Sequence, residues 1–388
     1  MRVVDLSRVL AGPYCTMLLG DLGADVVKVE LPGVGDETRR WGPPFVGGES
    51  AYFLSVNRNK RSLTLNLKDG RAREVLDRLL ATADVLVENF RAGTLEALGL
   101  DYDSLKERHP GLVFCTISAF GSRGPRRDRP GYDFAIQAIG GIMSVTGEPD
   151  GEPMKVGVAI VDVTAGLYAL AAILAALHAR ERTGRGQRVE VSLLQAQLAW
   201  LINVGSAYLV SGERPRRYGN AHPSIVPYQL FQAADGWVAI ACGNDAQYRA
   251  LCQVLGAAEL GADERYATNP DRVANRAELI PRLAADVATR PAAELLDALE
   301  AAGVPCAPLN TVDQALADRQ VEALGAVIQA EHPTVGDLRL IRWPFELSET
   351  PAELRQPPPL LGQHTEELLA ELGLSAEEIA DLRRDGAV

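Results

Sequence analysis

Cysteine is scarce in this 388-residue sequence, and what there is does not pair. The five cysteines, Cys15, Cys115, Cys242, Cys252 and Cys306, are scattered and include no C-x-x-C. That spacing supplies neither a disulfide framework nor a zinc cage, so each reads as a small core residue. The five histidines are equally dispersed, without metal-ligand spacing, and no metal is expected. Lysine is rare as well: only five of the 39 basic residues, beside 34 arginines and much alanine, which suggests a GC-rich bacterial genome. Long apolar runs are missing, since the longest, Gly166–Leu177, is too short to span a bilayer. Asp5 interrupts what would be the apolar region of a signal peptide. A soluble, cytoplasmic protein is the expectation. The phosphate motif G-x-x-x-x-G-K-S/T is absent, and the first strand-to-helix turn, "RVLAGPYCTMLLG", lacks G-x-G-x-x-G, which argues against NAD. No G-x-S-x-G elbow is present. A net charge of -12 argues against nonspecific binding to nucleic acid or an anionic membrane, though not against small anionic ligands.

What is present is a regular alternation. "MRVVDLS", "DVVKVE", "SLTLNL", "DVLVEN", "LVFCTISAF" and "QRVEVSL" read as strands, with "AGPYCTMLLGDLGA" and "GRAREVLDRLLATA" as helices among them. Nearly continuous apolar strands alternating with helices predict a parallel sheet covered on both faces. The fold class is therefore α/β, a Rossmann-like doubly wound large domain. The length exceeds what one core usually serves, and the composition changes at the Pro/Gly/Arg-rich "SGERPRRYGNAHPSIVPY". The expected division is a large domain over 1–212, a smaller α+β domain over 213–321, and a segment over 322–388. In the small domain "YQLFQAADGWVAIAC" reads as a hairpin turning at Asp235-Gly236. "HPTVGDLRLIRWPFELS" reads as antiparallel strands, and the C-terminus as a proline-rich stretch leading into two helices.

One acid stands out. "VGVAIVDVTAGLYALAAILAALHA" is almost wholly apolar and holds a single acid, Asp162, which precedes a long helical pattern starting at Val163. Aspartate is a favoured N-cap and suits the positive end of the helix dipole. A carboxylate half-sunk in apolar surroundings is also a nucleophile candidate. Basic residues gather in three stretches: Arg39 and Arg40 in "ETRRWGPPF", Arg58, Lys60, Arg61 and Lys68 in "SVNRNKRSLTLNLK", and Arg91 in "VENFRAGTLEALG". Each alone reads as solvated surface. Together they suit a phosphorylated, partly aromatic ligand, with Phe90 available to a purine.

These segments, with "GYDFAIQAIGGIMSVTGEPDGEP", "GNAHPSIVPYQLF", "GVPCAPLNTV" and "PPPLLGQHTEELL" in the same order, resemble the class III CoA-transferases of the CaiB/BaiF type, the family of formyl-CoA transferase and carnitine CoA-transferase. The resemblance runs from about residue 2 to the C-terminus. "GDETRRWGPPF", "YFLSVNRNKRS" and "AHPSIVPYQ" are most similar to succinate–hydroxymethylglutarate CoA-transferase and its bacterial dicarboxylate-using relatives.

The resemblance implies that Asp162 is the nucleophile and that CoA moves from an acyl-CoA donor, such as succinyl-CoA, to a free carboxylic acid. It implies acyl-CoA as substrate and no tightly bound cofactor. It places CoA against Val9, Leu10 and Ala11, Leu65, Asn66, Leu67 and Lys68, Asn89, Phe90 and Arg91, and Pro130, Gly131 and Tyr132. Leu31 and Ala97 stand where formyl-CoA transferase has arginines, so Arg39, Arg40 or Arg58 would have to compensate. "YGNAHP" stands where formyl-CoA transferase has a glycine-rich loop that closes over the substrate; with the single glycine Gly219 it implies a related, less mobile gate that brings Asn220 and His222 near the acyl group. A dicarboxylate needs a cation for its far end, for which Arg39, Arg40 and Arg217 are candidates. The resemblance further implies an interlocked homodimer and a return of 322–388 to the large domain. Three rivals remain. An α-methylacyl-CoA racemase-like isomerase needs an acid–base pair, yet "GYD" has Tyr132 where racemases have histidine, and tyrosine is a poor base at neutral pH. A non-catalytic acyl-CoA-binding protein and a thioesterase are the others.

Overall fold

A computed structural model describes residues 1–388 and divides the chain into two compact units. The first is Met1–Ile142, Val156–Leu209 and Glu322–Val388; the second is Met143–Lys155 and Val210–Val321. Residues 143–155 thus leave the large domain to which the 1–212 boundary assigned them. Hydrogen bonds explain it. Arg217 donates to the carbonyls of Glu148, Pro149 and Gly151, and the Gly219 N–H donates to the Gly147 carbonyl.

Six strands of the first unit form one parallel sheet: β1 (Arg2–Asp5), β2 (Asp25–Glu30), β3 (Lys60–Thr64), β4 (Val85–Glu88), β5 (Val113–Ser118) and β6 (Arg188–Ser192). Their order across the sheet is β3-β2-β1-β4-β5-β6. The chain steps outward from β1 to β3, then resumes on the other side at β4. That reversal opens a crevice beyond the carboxyl ends of β1 and β4.

Alternation along the strands feeds two cores. Val4, Val27, Leu63 and Leu86 face helix α2 (Gly70–Leu80). Val3, Val26, Val85 and Val113 face α1 (Ala11–Asp21) and, beyond the short helix α3 (Asp133–Ile139), the long α4 (Ile160–Thr183). At 24 residues α4 meets the length and apolar composition of a membrane span, which the shorter uninterrupted run did not suggest. Its Val161, Ala165, Ala169 and Ile173 are nevertheless packed in the sheet core. Gly166 lets α4 lie close on α1, because a Cβ there would meet the Ala11 carbonyl oxygen at 2.7 Å. The helix ends at Gly184, whose φ of 68° L-residues rarely adopt. Two helices, α5 (Leu193–Trp200) and α6 (Ile202–Ser211), follow β6.

In the second unit β7 (Tyr228–Gln232) and β8 (Trp237–Ala241) make the expected hairpin, joined by β9 (Cys306–Pro308). Back in the first unit, β10 (Val327–His332) and β11 (Gly336–Ile341) pair antiparallel, one strand earlier than expected because the turn, not a strand, follows His332. The helices α7 (Thr365–Glu371) and α8 (Ala376–Arg384) bring the tail against β3. Thr365 accepts from the Thr64 N–H, and the His364 N–H donates to the Ser62 carbonyl. The tail thus covers an otherwise open sheet edge.

Candidate active site

The crevice is built first by a strained turn. Between β1 and α1, Val9 takes φ of 72°, a region that β-branched residues avoid. The neighbours hold it there. The Arg8 N–H donates to Asn89 Oδ1 at 2.9 Å, and Asn89 Nδ2 donates to the Arg8 carbonyl at 2.7 Å. Asp36 stands beneath the Val9 N–H and is itself paired with fully buried Lys28 at 2.9 Å. Strain held this firmly is typical of a functional turn.

Around the turn lies a cavity of about 760 Å³. Val9, Leu10 and Ala11 line it, with Asn89, Phe90 and Arg91 after β4, Pro130, Gly131 and Tyr132 before α3, and Asp162 on α4. The volume is in the range of small-molecule and cofactor sites. Arg8 lies over the Phe90 ring, 5.2 Å from its centroid. Arg8 is paired with Glu37, and Arg188 with Glu190, whereas Arg91 and Arg129, also in the lining, make no ion pair. Burial pushes the Glu88 carboxyl up, although it accepts from the Phe90 N–H at 2.9 Å.

Asp162 is not the N-cap. The helix begins earlier, with Ala159 as cap, so Asp162 is the third helical residue. It is 9% exposed and has no cationic partner. Burial, reinforced by the charge of Asp133, pushes its carboxyl up to about 7. Ala159, Val163, Val9, Leu10 and Tyr52 form an apolar cluster at this helix end. The Tyr52 hydroxyl is pushed up to about 12 by burial, with Asp162 and Asp133 adding to the effect.

Several expected residues lie elsewhere. Leu65, Asn66, Leu67 and Lys68 do not line the cavity: Leu65 is core, Leu67 packs against it, the Asn66 N–H donates to the Ala387 carbonyl, and Lys68 is exposed. Arg39 grips Glu30 through two bonds at 2.8 and 2.7 Å and lies 3.6 Å over the Phe53 ring, so its charge is spent inside the fold. Arg58 is buried in a two-bond pair with Asp21 and cannot reach a phosphate. Arg40 is exposed without an ion pair, outside the cavity lining. Gly219, Asn220 and His222 belong to the second unit. There His222 Nδ1 accepts from the Ser224 N–H, and its ring meets Tyr228 at 5.4 Å. Sequence reading missed Arg8, Arg129, Arg188 and Glu88. The rule that ligands sit beyond strand carboxyl ends would have flagged Glu88 at the end of β4 and Arg8 just past β1.

Residues 1–365 match the family described as CoA-transferase family III. The chain belongs to this family. It is similar to the succinate–glutarate CoA-transferase of Agrobacterium fabrum, 45% identical over 378 residues, spanning 96% of this chain and 94% of the relative. It is also similar to the succinyl-CoA:glutarate CoA-transferase of Homo sapiens, 44% identical over 377 residues, 96% and 85% of the two lengths. Among solved structures, a CaiB/BaiF family protein from Brucella suis aligns with a TM-score of 0.87 at 46% identity, covering 96% of this chain and 98% of that one. As a member of CoA-transferase family III the chain is a transferase enzyme whose substrates are CoA thioesters. Within its cavity no histidine is available as the base that the racemase alternative requires.

Proposed function

We propose that this family III enzyme moves CoA from succinyl-CoA to a dicarboxylic acid through covalent intermediates on Asp162. The observation that carries the reading is the unpaired, nearly dry carboxyl of Asp162 at the apolar end of the cavity. The names of the relatives support the donor and the acceptor class.

The electron bookkeeping closes without a cofactor. The Asp162 carboxylate attacks the thioester carbonyl; a C–O bond forms, the C–S bond breaks, and CoA leaves as thiolate. The thiolate then attacks the aspartyl carbonyl of the mixed anhydride, releasing succinate and leaving an aspartyl-CoA thioester. The acceptor carboxylate attacks that thioester, and the freed thiolate attacks the acceptor's acyl carbon. Asp162 returns as carboxylate, with no net proton or water consumed. Splitting one step into several lowers each barrier. Excluding water protects both intermediates from hydrolysis.

Arg8, Phe90 and Arg91 are suited to the charged, aromatic end of CoA, and the Val9–Ala11 turn to its narrow arm. Of the arginines considered for the distal carboxylate, Arg40 alone keeps its guanidinium free of protein partners. The acyl-group roles of Gly219, Asn220 and His222 rest on the resemblance alone.

The test is incubation with succinyl-CoA and a panel of acids, with acyl-CoA products read by mass spectrometry. The wild type should yield one dominant dicarboxyl-CoA, and Asp162→Ala none. Turnover by Asp162→Ala near the wild-type rate would sink the mechanism. We also infer a homodimer from the apolar side chains that the first unit leaves in solvent. They are Leu167, Tyr168 and Leu174 on α4, Leu198 and Trp200 on α5, and Ile202 and Leu209 on α6.

A further inference from the structure

We infer that Asp133 is a positioning residue: from outside the helix its carboxylate ties down the first turn of α4 and so aims Asp162 into the cavity. The inference rests on the reading of Asp162 as nucleophile.

A helix start leaves four backbone N–H groups without partners. Here the cap is Ala159, which has no side chain to offer, and the Asp162 carboxylate does not bend back to them. Asp133 does this from α3. Its Oδ2 accepts from the Val161 N–H at 2.8 Å and from the N–H of Asp162 itself at 3.2 Å. Its Oδ1 accepts from Gln137 Nε2 at 2.5 Å, one turn along α3. Gln137 Oε1 in turn accepts from the Val156 N–H at 2.8 Å. The pair therefore fixes the approach to α4 at Val156 and its first turn at 161–162. Gln137 is fully buried and Asp133 nearly so. Asp133 does not line the cavity, which separates it from the reacting groups.

The position also has an electrostatic consequence. No lysine, arginine or histidine pairs with Asp133, so two carboxylates share one helix end. Tyr132 is the N-cap of α3, Lys155 adjoins Val156, and Arg91 and Arg129 share the cavity lining with Asp162. Tyr52 comes from the short helix Ala51–Ser55, and α1 brings Tyr14 and buried Cys15 against Gly166. Buried Cys115 lies on β5; on β6, Arg188 and Glu190 are paired with each other; α5 carries no ionisable residue. Removing the Asp133 charge favours the ionised form of Asp162 and so lowers the pH at which the nucleophile is released.

Two variants separate geometry from charge. Asp133→Ala deletes both. Its kcat should fall by about a hundredfold, the loss expected when a reacting group is misplaced by roughly an ångström, with KM for succinyl-CoA changed less than about threefold. Asp133→Asn keeps an oxygen for the two N–H groups of α4 but turns its Nδ2 toward the Gln137 Nε2 donor and loses that one bond, so its kcat should recover in part, to about tenfold above that of Asp133→Ala. The acidic limb of its kcat/KM profile should lie at least about half a unit below the wild-type limb near 7. The readout is the pH profile of both variants, with circular dichroism to establish the native fold. A folded Asp133→Ala with wild-type kcat, or an Asp133→Asn as impaired as Asp133→Ala with an unmoved limb, would overturn the inference. Asp162→Ala assayed alongside keeps the two readings apart. An active Asp162→Ala defeats the nucleophile; an inert one beside a normal Asp133→Ala defeats only the positioning role.

Discussion

Asp162 imposes a cost on the folded chain that its reactivity requires. Its carboxyl, ordinarily near 3.8, stands at about 7 in the fold. A group whose folded-state value is raised binds its proton more tightly folded than unfolded. The folded state is therefore favoured below about pH 4, loses that advantage as pH rises, and bears the full penalty above 7, at most about 4 kcal/mol. Asp162→Asn removes the titration. Thermal unfolding near pH 8 should show this variant more stable than the wild type, while near pH 4 the two should converge. Equal stability at both pH values would mean that the carboxyl is well solvated. Arg58 presents the opposite case. It resembled a phosphate ligand in sequence, yet its charge is matched by Asp21 deep in the fold. Arg58→Met strands a buried carboxylate and should cost about 3–5 kcal/mol, with KM for succinyl-CoA unchanged in the folded fraction. Chemical denaturation together with steady-state kinetics reads both.

At the scale of elements, local pattern was legible and close approach was not. The six sheet strands show as continuous apolar runs because both faces of the sheet are covered. α4 starts three residues before the Val163 that the local pattern indicates, since Asp162 resembles a cap while the capping carboxylate comes from Asp133, 29 residues away. No local signal reveals a cap supplied by another helix. For the same reason the arginines of "ETRRWGPPF" and "SVNRNKRS" could not be sorted into buried and free: Arg39 depends on Glu30 and Arg58 on Asp21, both outside those stretches. Gly166 is another such feature. It lies one turn after Asp162, where α4 touches α1. Gly166→Ala forces its Cβ against the Ala11 carbonyl and should displace the helix, costing about 1–3 kcal/mol and lowering kcat by at least about tenfold. Unaltered kcat and stability would show that the two helices separate freely.

At the scale of the whole molecule, the question is what covers the apolar side of α4–α6. Alternate sides of α4 behave differently. Val161, Ala165, Ala169 and Ile173 are buried by the sheet, while Leu167, Tyr168 and Leu174 stay exposed although the helix is apolar all round. A helix with that composition is stable when its second side is covered too, and Ile202 at 75% and Leu209 at 82% exposure extend the same demand along α6. The resemblance supplies a second copy of the chain as the cover. Sedimentation at micromolar concentration should therefore give twice the 41.7 kDa of one chain. Charges placed on that face, as in Leu167→Glu with Leu209→Glu, should shift the mass toward the monomer and lower thermal stability, because desolvated charge opposes association. A wild-type chain that sediments as a monomer, with these variants no less stable, would leave the apolar face without a partner and remove the dimer from the reading.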